Sequence, residues 1–112
     1  MAVYVSNISI NTGVDFSQIF TLEDGNSNSA LTLTNYSVKA QMRKHPTSSG
    51  VTTFTSSIFD ATAGQIKIGL STESTSALKE GRYMYDVVLT DSGNTMSRVI
   101  EGSAMVTKGV TQ

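Results

Sequence analysis

Hydrophobic residues recur at every second position through most of the chain, the period at which strand side chains alternate between two faces. Tyr36, Val38, Ala40 and Met42 alternate with Ser37, Lys39, Gln41 and Arg43, and Ile66, Ile68 and Leu70 alternate with Gln65, Lys67 and Gly69. Each run predicts a half-buried strand with one apolar and one hydrophilic face. Phe16, Phe20 and Leu22 share a parity along 15–22, and Phe54 and Ile58 share one along 51–59. In Tyr83, Tyr85, Val87 and Leu89 the inward set is large, and Met84 and Val88 make the opposite face apolar too. That strand is expected in the centre of a sheet or under cover on its second side. The last run, 96–106, buries Ile100, Ala104 and Val106, with Gly102 as a bulge or a point of close approach.

At the N-terminus the apolar parity passes from Val3 and Val5 to Ile8 and Ile10 across Ser6 and Asn7. A regular strand cannot change parity, so a bulge or a change of sheet is expected there. Turn residues separate the strands at 11–13, 24–27, 45–50, 61–64 and 91–94, a spacing that suits an antiparallel sandwich. The helical candidate runs from Ser71 to Glu80, with a capping-like Ser71-Thr72-Glu73-Ser74 start and Gly81 as the stop, so one short helical turn is expected near residues 72–80. After Gly81, Tyr83 opens a late strand in the manner of the tyrosine corner of immunoglobulin-like domains, where the hydroxyl bonds backbone a few residues upstream. The expected fold is all-β: one immunoglobulin-like antiparallel β-sandwich of about 7–8 strands spanning residues 1–112.

Composition narrows the chemistry. The 112 residues contain no cysteine and one histidine, which removes disulfides, thiol nucleophiles, thiolate metal sites and histidine-rich metal clusters. A net charge of −1, with the basic residues scattered, lacks the footprint of a nucleic-acid binder. The first residues have no basic region and no apolar stretch long enough for a signal peptide or membrane span, so a non-exported chain without membrane contact is expected. Charged residues make up only 15% of the chain, and serine and threonine cover the exposed positions instead. Such faces pack against neighbours at low desolvation cost.

His45 is the only base in the neutral range, but it stands beside Pro46 in a loop and no G-x-S-x-G elbow accompanies it. Asp86 and Glu101 fall on late strands that can pair, and a carboxylate pair can serve glycoside hydrolysis. Solvent exposure or a bond to Arg82 or Arg98 across the sheet is the reading preferred for them. No catalytic residue and no cofactor is assigned. Asp24, Asn26 and Asn28 match the first three ligand spacings of a calcium loop. The match ends there, since Ser29 stands at the glycine position and Asn35 at the bidentate glutamate position, and a polar hairpin loop explains the same residues. No phosphate-cradling glycine loop is present. Tyr4, Phe59, Met84 and Met96 fall opposite the core parity or near the chain ends and are the candidate partner contacts. Tyr83 and Gly81 are read as structural.

The run Asp15-Phe16-Ser17-Gln18-Ile19-Phe20-Thr21-Leu22, the Asp-rich turn after it, Leu31-Thr32 and Met42-Arg43-Lys44 resemble the N-terminal domain family of phage baseplate upper proteins and related small virion proteins. Gly64 to Ile68, Leu78 to Val87 and Arg98 to Gly102 continue the resemblance over nearly the whole chain. It is also similar to short structural proteins of T-even-like phages of marine bacteria. The resemblance implies an immunoglobulin-like domain that docks a receptor-binding or fibre module onto the tail, with other virion proteins or copies of itself in a symmetric assembly as partners. The expected function is a non-enzymatic structural subunit of the virion, in the tail or baseplate or as a fibre-docking adaptor. A capsid (head) decoration protein and a glycan-binding adhesin module are the alternatives. Because the chain ends at Gln112, with no fibre segment after it, a free-standing decoration or connector subunit joins these expectations. The segments 2–10 and 106–112 are expected to reach a partner.

Overall fold

The computed structural model describes residues 4–22, 32–45 and 50–109. Alternating side chains dictate strands, and the described strands form two sheets packed face to face. The larger sheet contains β1 (Tyr4–Val5), β2 (Ile8–Asn11), β4 (Ser37–Arg43), β5 (Thr52–Thr53), β8 (Gly81–Thr90) and β9 (Met96–Thr107). Its order is β1-β9-β8-β4-β5, with β2 also on β9. The smaller sheet is β3 (Phe16–Thr21), β7 (Gln65–Leu70) and β6 (Thr55–Asp60), in the order β3-β7-β6. If β1 with β2 and β5 with β6 are each taken as one interrupted strand, the chain runs A to G. Strands B, E and D form one sheet and C, F and G the other, which is the immunoglobulin arrangement. Strand A, however, lies on G instead of on B.

The core between the sheets is built from the expected inward sets. Ala40 and Met42, Ile66, Ile68 and Leu70, Tyr85, Val87 and Leu89, and Ile100, Ala104 and Val106 are all buried. The aromatic centre is Phe54, tilted against Phe16 and edge-on to Tyr85. In antibody domains the residue two after the corner tyrosine is a disulfide cysteine. Here that place is held by Tyr85, and ring packing replaces the covalent tie.

Several expectations change. The sandwich is not wholly antiparallel, because β1 and β2 both run parallel to β9. At Ser6 and Asn7 there is neither a bulge nor a change of sheet: Tyr4 lies opposite Ile100 and Ile8 opposite Ala104, in one continuous register. The parity problem disappears because Val5 does not belong to the core; it is 75% exposed beside Glu101. The strand expected over 51–59 divides at Phe54, with β5 on β4 and β6 on β7, so the change of sheet occurs there. Phe54 drives it, since burying its ring carries the chain across the core edge. Gly102 is a close approach and not a bulge: a Cβ there would run into the Ser6 carbonyl. The bulge in β9 lies at Val99, between Val87 opposite Ile100 and Val88 opposite Arg98, and it buries Val99 and Ile100 together. The N-terminal segment expected to reach a partner belongs, over 4–11, to this sandwich, with Ile8 and Ile10 in the core.

The helical turn is α1 (Thr72–Ser76), capped by Ser71, whose hydroxyl accepts the Ser74 N–H. Two side chains tie it to the start of β3. Asp15 Oδ1 accepts the Thr72 N–H at 2.7 Å and the Thr72 hydroxyl at 2.8 Å. The fully buried Thr75 donates its hydroxyl to the Val14 carbonyl at 2.8 Å.

Candidate functional site

The corner after α1 is set by Gly81, whose φ of 143° lies in a region that other residues rarely occupy. It turns the chain so that the Tyr83 hydroxyl donates to the Lys79 carbonyl at 2.9 Å. The Lys44 ammonium sits 4.6 Å from the Tyr83 ring centroid. This end of the sandwich carries two open grooves. One, of about 560 Å³, lies between the β2–β3 turn and α1 and is lined by Thr12, Thr72, Ser76, Lys79, Glu80 and Lys108. The other, of about 350 Å³, lies against Met42, Val51, Leu78 and Tyr83. Both are shallow furrows beside the corner. Neither brings together a base, a nucleophile and an oxyanion donor.

The carboxylates weighed for acid–base chemistry are register partners: Asp86 lies directly opposite Glu101 on the outer face of the larger sheet. Asp86 accepts a hydrogen bond from Arg98 Nε at 3.1 Å, which uses the carboxylate in a surface ion pair. His45 is exposed just past the end of β4, on a different strand from either acid. The candidate ion ligands Asp24, Asn26 and Asn28 lie outside the described residues. Among the described residues no group of three His, Cys, Asp or Glu is placed to hold a metal. No helix there is long and apolar enough to cross a membrane.

Two other acids have work to do in the fold. Asp60 is held below the usual carboxylate range by the Ala63 N–H and the Thr62 hydroxyl, which close the β6–β7 turn. Asp15 is lowered in the same way by the hydroxyl and N–H of Thr72. Burial pushes the Tyr85 hydroxyl up, where it donates to the Ser6 carbonyl.

The four candidate contact residues are exposed but not assembled. Met84 lies on the outer face of the larger sheet, and Met96 lies on the same face opposite Thr90, about 20 Å farther along β8. Tyr4 is at the β1 edge. Phe59 is the bulged residue of β6 on the smaller sheet, its ring 6.0 Å from the Lys67 ammonium. The partner that Met84 does have was missed in the sequence reading. Met105 stands opposite Arg82 while Met84 stands opposite Ser103, so the two methionines are diagonal neighbours, each about half exposed. The signal was available, because Met105 has the parity opposite Ala104 and Val106. The pairing of β8 with β9 was needed to join it to Met84.

No protein-family model matches the sequence. A search of curated proteins finds no match either. Among solved structures the chain is similar to an internalin-like protein of Listeria monocytogenes, at 13% identity and a TM-score of 0.46, over 96% of this chain and 28% of that one. It is also similar to a family 123 glycoside hydrolase from Clostridium perfringens, at 11% identity and a TM-score of 0.45, over 100% of this chain and 24% of that one. The chain thus spans about a quarter of the length of each.

Proposed function

We propose that this chain is a non-enzymatic structural subunit of a tailed-phage particle, seated in the tail or baseplate and working through protein–protein contacts. The observation that carries the reading is the diagonal Met84–Met105 pair on the outer face of the larger sheet, apolar surface on a face that also exposes Met96 and Val5 among the charged Arg82, Asp86, Arg98 and Glu101. Methionine is adaptable at contact surfaces and carries no charge of its own to desolvate. The resemblance of the segments 15–22, 78–87 and 98–102 to baseplate upper-protein domains supports the same reading.

Imaging tests it. Labelled antibody or electron cryo-microscopy on purified particles is expected to show this chain in few copies at the tail end. Many copies over the head shell would assign it to capsid decoration instead, and complete absence from the particle would overturn the structural reading. A Met84→Lys, Met105→Lys chain is expected to stay folded and fail to incorporate.

A further inference from the structure

β3 is an edge of the smaller sheet, paired with β7 on one side and with no other strand among the described residues on the other. Edge strands are ordinarily guarded by a lysine, a proline, a bulge or an early end. β6, at the opposite edge, has such a guard in the Phe59 bulge, and its last residue, Asp60, is drawn into the next turn. β3 has none. Its sequence, FSQIFT, has no charge and no proline, and its register runs unbroken from Phe16 opposite Leu70 to Thr21 opposite Gln65.

The hydrogen-bond phase of this edge follows from one bond. The Leu22 N–H donates to the Gly64 carbonyl at 2.8 Å, continuing the β3–β7 register. Bonded positions alternate along an antiparallel strand, so Phe20, Gln18 and Phe16 bond toward β7. Ser17, Ile19 and Thr21 therefore aim their N–H and C=O groups out of the sheet. The Ile19 carbonyl is met by a local substitute, the Gln18 side-chain amide at 3.2 Å. Ser17, Ile19 and Thr21 also share the outer face, where Ile19 is 41% exposed.

We propose that β3 pairs antiparallel with β3 of a second copy of this chain, about a two-fold axis through Ile19. Centred there, Ile19 exchanges two hydrogen bonds with the partner's Ile19, Ser17 meets the partner's Thr21, and Thr21 meets the partner's Ser17. The ladder closes with about six hydrogen bonds. Centring on Ser17 or Thr21 leaves part of each strand unpaired, and centring on Gln18 puts inward-bonded groups at the axis. The same register sets Ile19 against its equivalent between two Ser–Thr pairs, each a favourable cross-strand neighbour. The interface is isologous, so assembly stops at two and joins two three-stranded sheets into one. No charge in β3 opposes it, and at a net −1 the copies repel weakly. This pairing stands on the edge alone, whether or not the chain is a virion protein.

Sedimentation equilibrium of the full chain tests it first, with a monomer–dimer equilibrium expected. Ile19→Lys sets two like charges face to face and is expected to raise the dissociation constant at least about tenfold, with unchanged circular dichroism. Since the chain has no cysteine, Ile19→Cys supplies a single thiol. Across a bonded pair the Cα separation of about 5.5 Å lies within disulfide reach. Mild oxidation is expected to give covalent dimer with Ile19→Cys much faster than with Ser57→Cys on β6. A parent chain that stays monomeric up to the order of 1 mM, equal cross-linking of the two cysteine variants, or an Ile19→Lys chain that associates like the parent would each overturn the proposal.

Discussion

Along β9 the larger sheet is finished by a strand of its own chain, whereas along β3 the smaller sheet ends in a regular strand with no further partner strand among the described residues. The β9 side is secured by specific bonds. The Ser6 N–H donates to the Glu101 carbonyl at 2.9 Å, Asn7 Oδ1 accepts the Ser103 N–H at 3.1 Å, and Asn11 Oδ1 accepts the Thr107 hydroxyl at 2.7 Å. The resulting edge, β1 and β2, is short and broken at Ser6 and Asn7, a poor template for another chain. β3 is held by β7 on one side alone, with its start tied through Val14 and Asp15 to α1. The contrast shows how a small sandwich can protect one edge and leave another available: moving strand A from B to G covers the end of one sheet and uncovers the other.

The sharpest way to break this contrast is at Gly102. Gly102→Ala places a Cβ against the Ser6 backbone, and the expected loss is about 3 kcal/mol in urea unfolding, with faster amide exchange over 4–11. Association through β3 should not change. Next is Thr75→Val, which keeps the volume but strips the Val14 carbonyl of its buried donor. It is expected to lose about 2 kcal/mol and to loosen the start of β3, with exchange at 14–17 as the readout.

Tyr85→Phe removes the hydroxyl that meets the Ser6 carbonyl, for about 1 kcal/mol. The pH dependence sharpens the test. Tyr85 holds its proton more tightly folded than unfolded, so its contribution is present below about pH 10 and lost as pH rises through the higher folded value. The parent should therefore weaken above pH 10 more steeply than Tyr85→Phe in paired unfolding curves. Asp15→Asn is the mildest change. The Asp15 carboxyl is depressed by Thr72, so its contribution is present above about pH 4 and disappears as pH falls through the lower folded value. Thermal unfolding should separate variant from parent slightly at pH 7 and bring them together in acid.

The chain determined much of this by itself. Period-two alternation at 36–43, 65–70 and 83–89 specifies strands and their buried faces, because a strand offers its side chains to two sides in turn and the larger apolar set in each run takes the buried side. Ser71 caps the helical turn through local hydrogen bonding, which neighbouring residues largely settle, but the turn ends at Ser76 with Ala77 as its cap, and Gly81, expected to stop it, instead begins β8. Tertiary structure decided what depends on partners far along the chain. Val5 is apolar yet exposed, so local pattern misreads it, and only the continuous register with β9 shows that nothing shifts at Ser6. Phe54 splits a strand that reads as continuous because its ring is wanted in a core assembled from both sheets. Met84 and Met105 become neighbours, and Ser17, Ile19 and Thr21 become an open row, only once pairing is fixed. Alternation says which face a residue takes; which strand lies beside it is set by the packing of the whole chain.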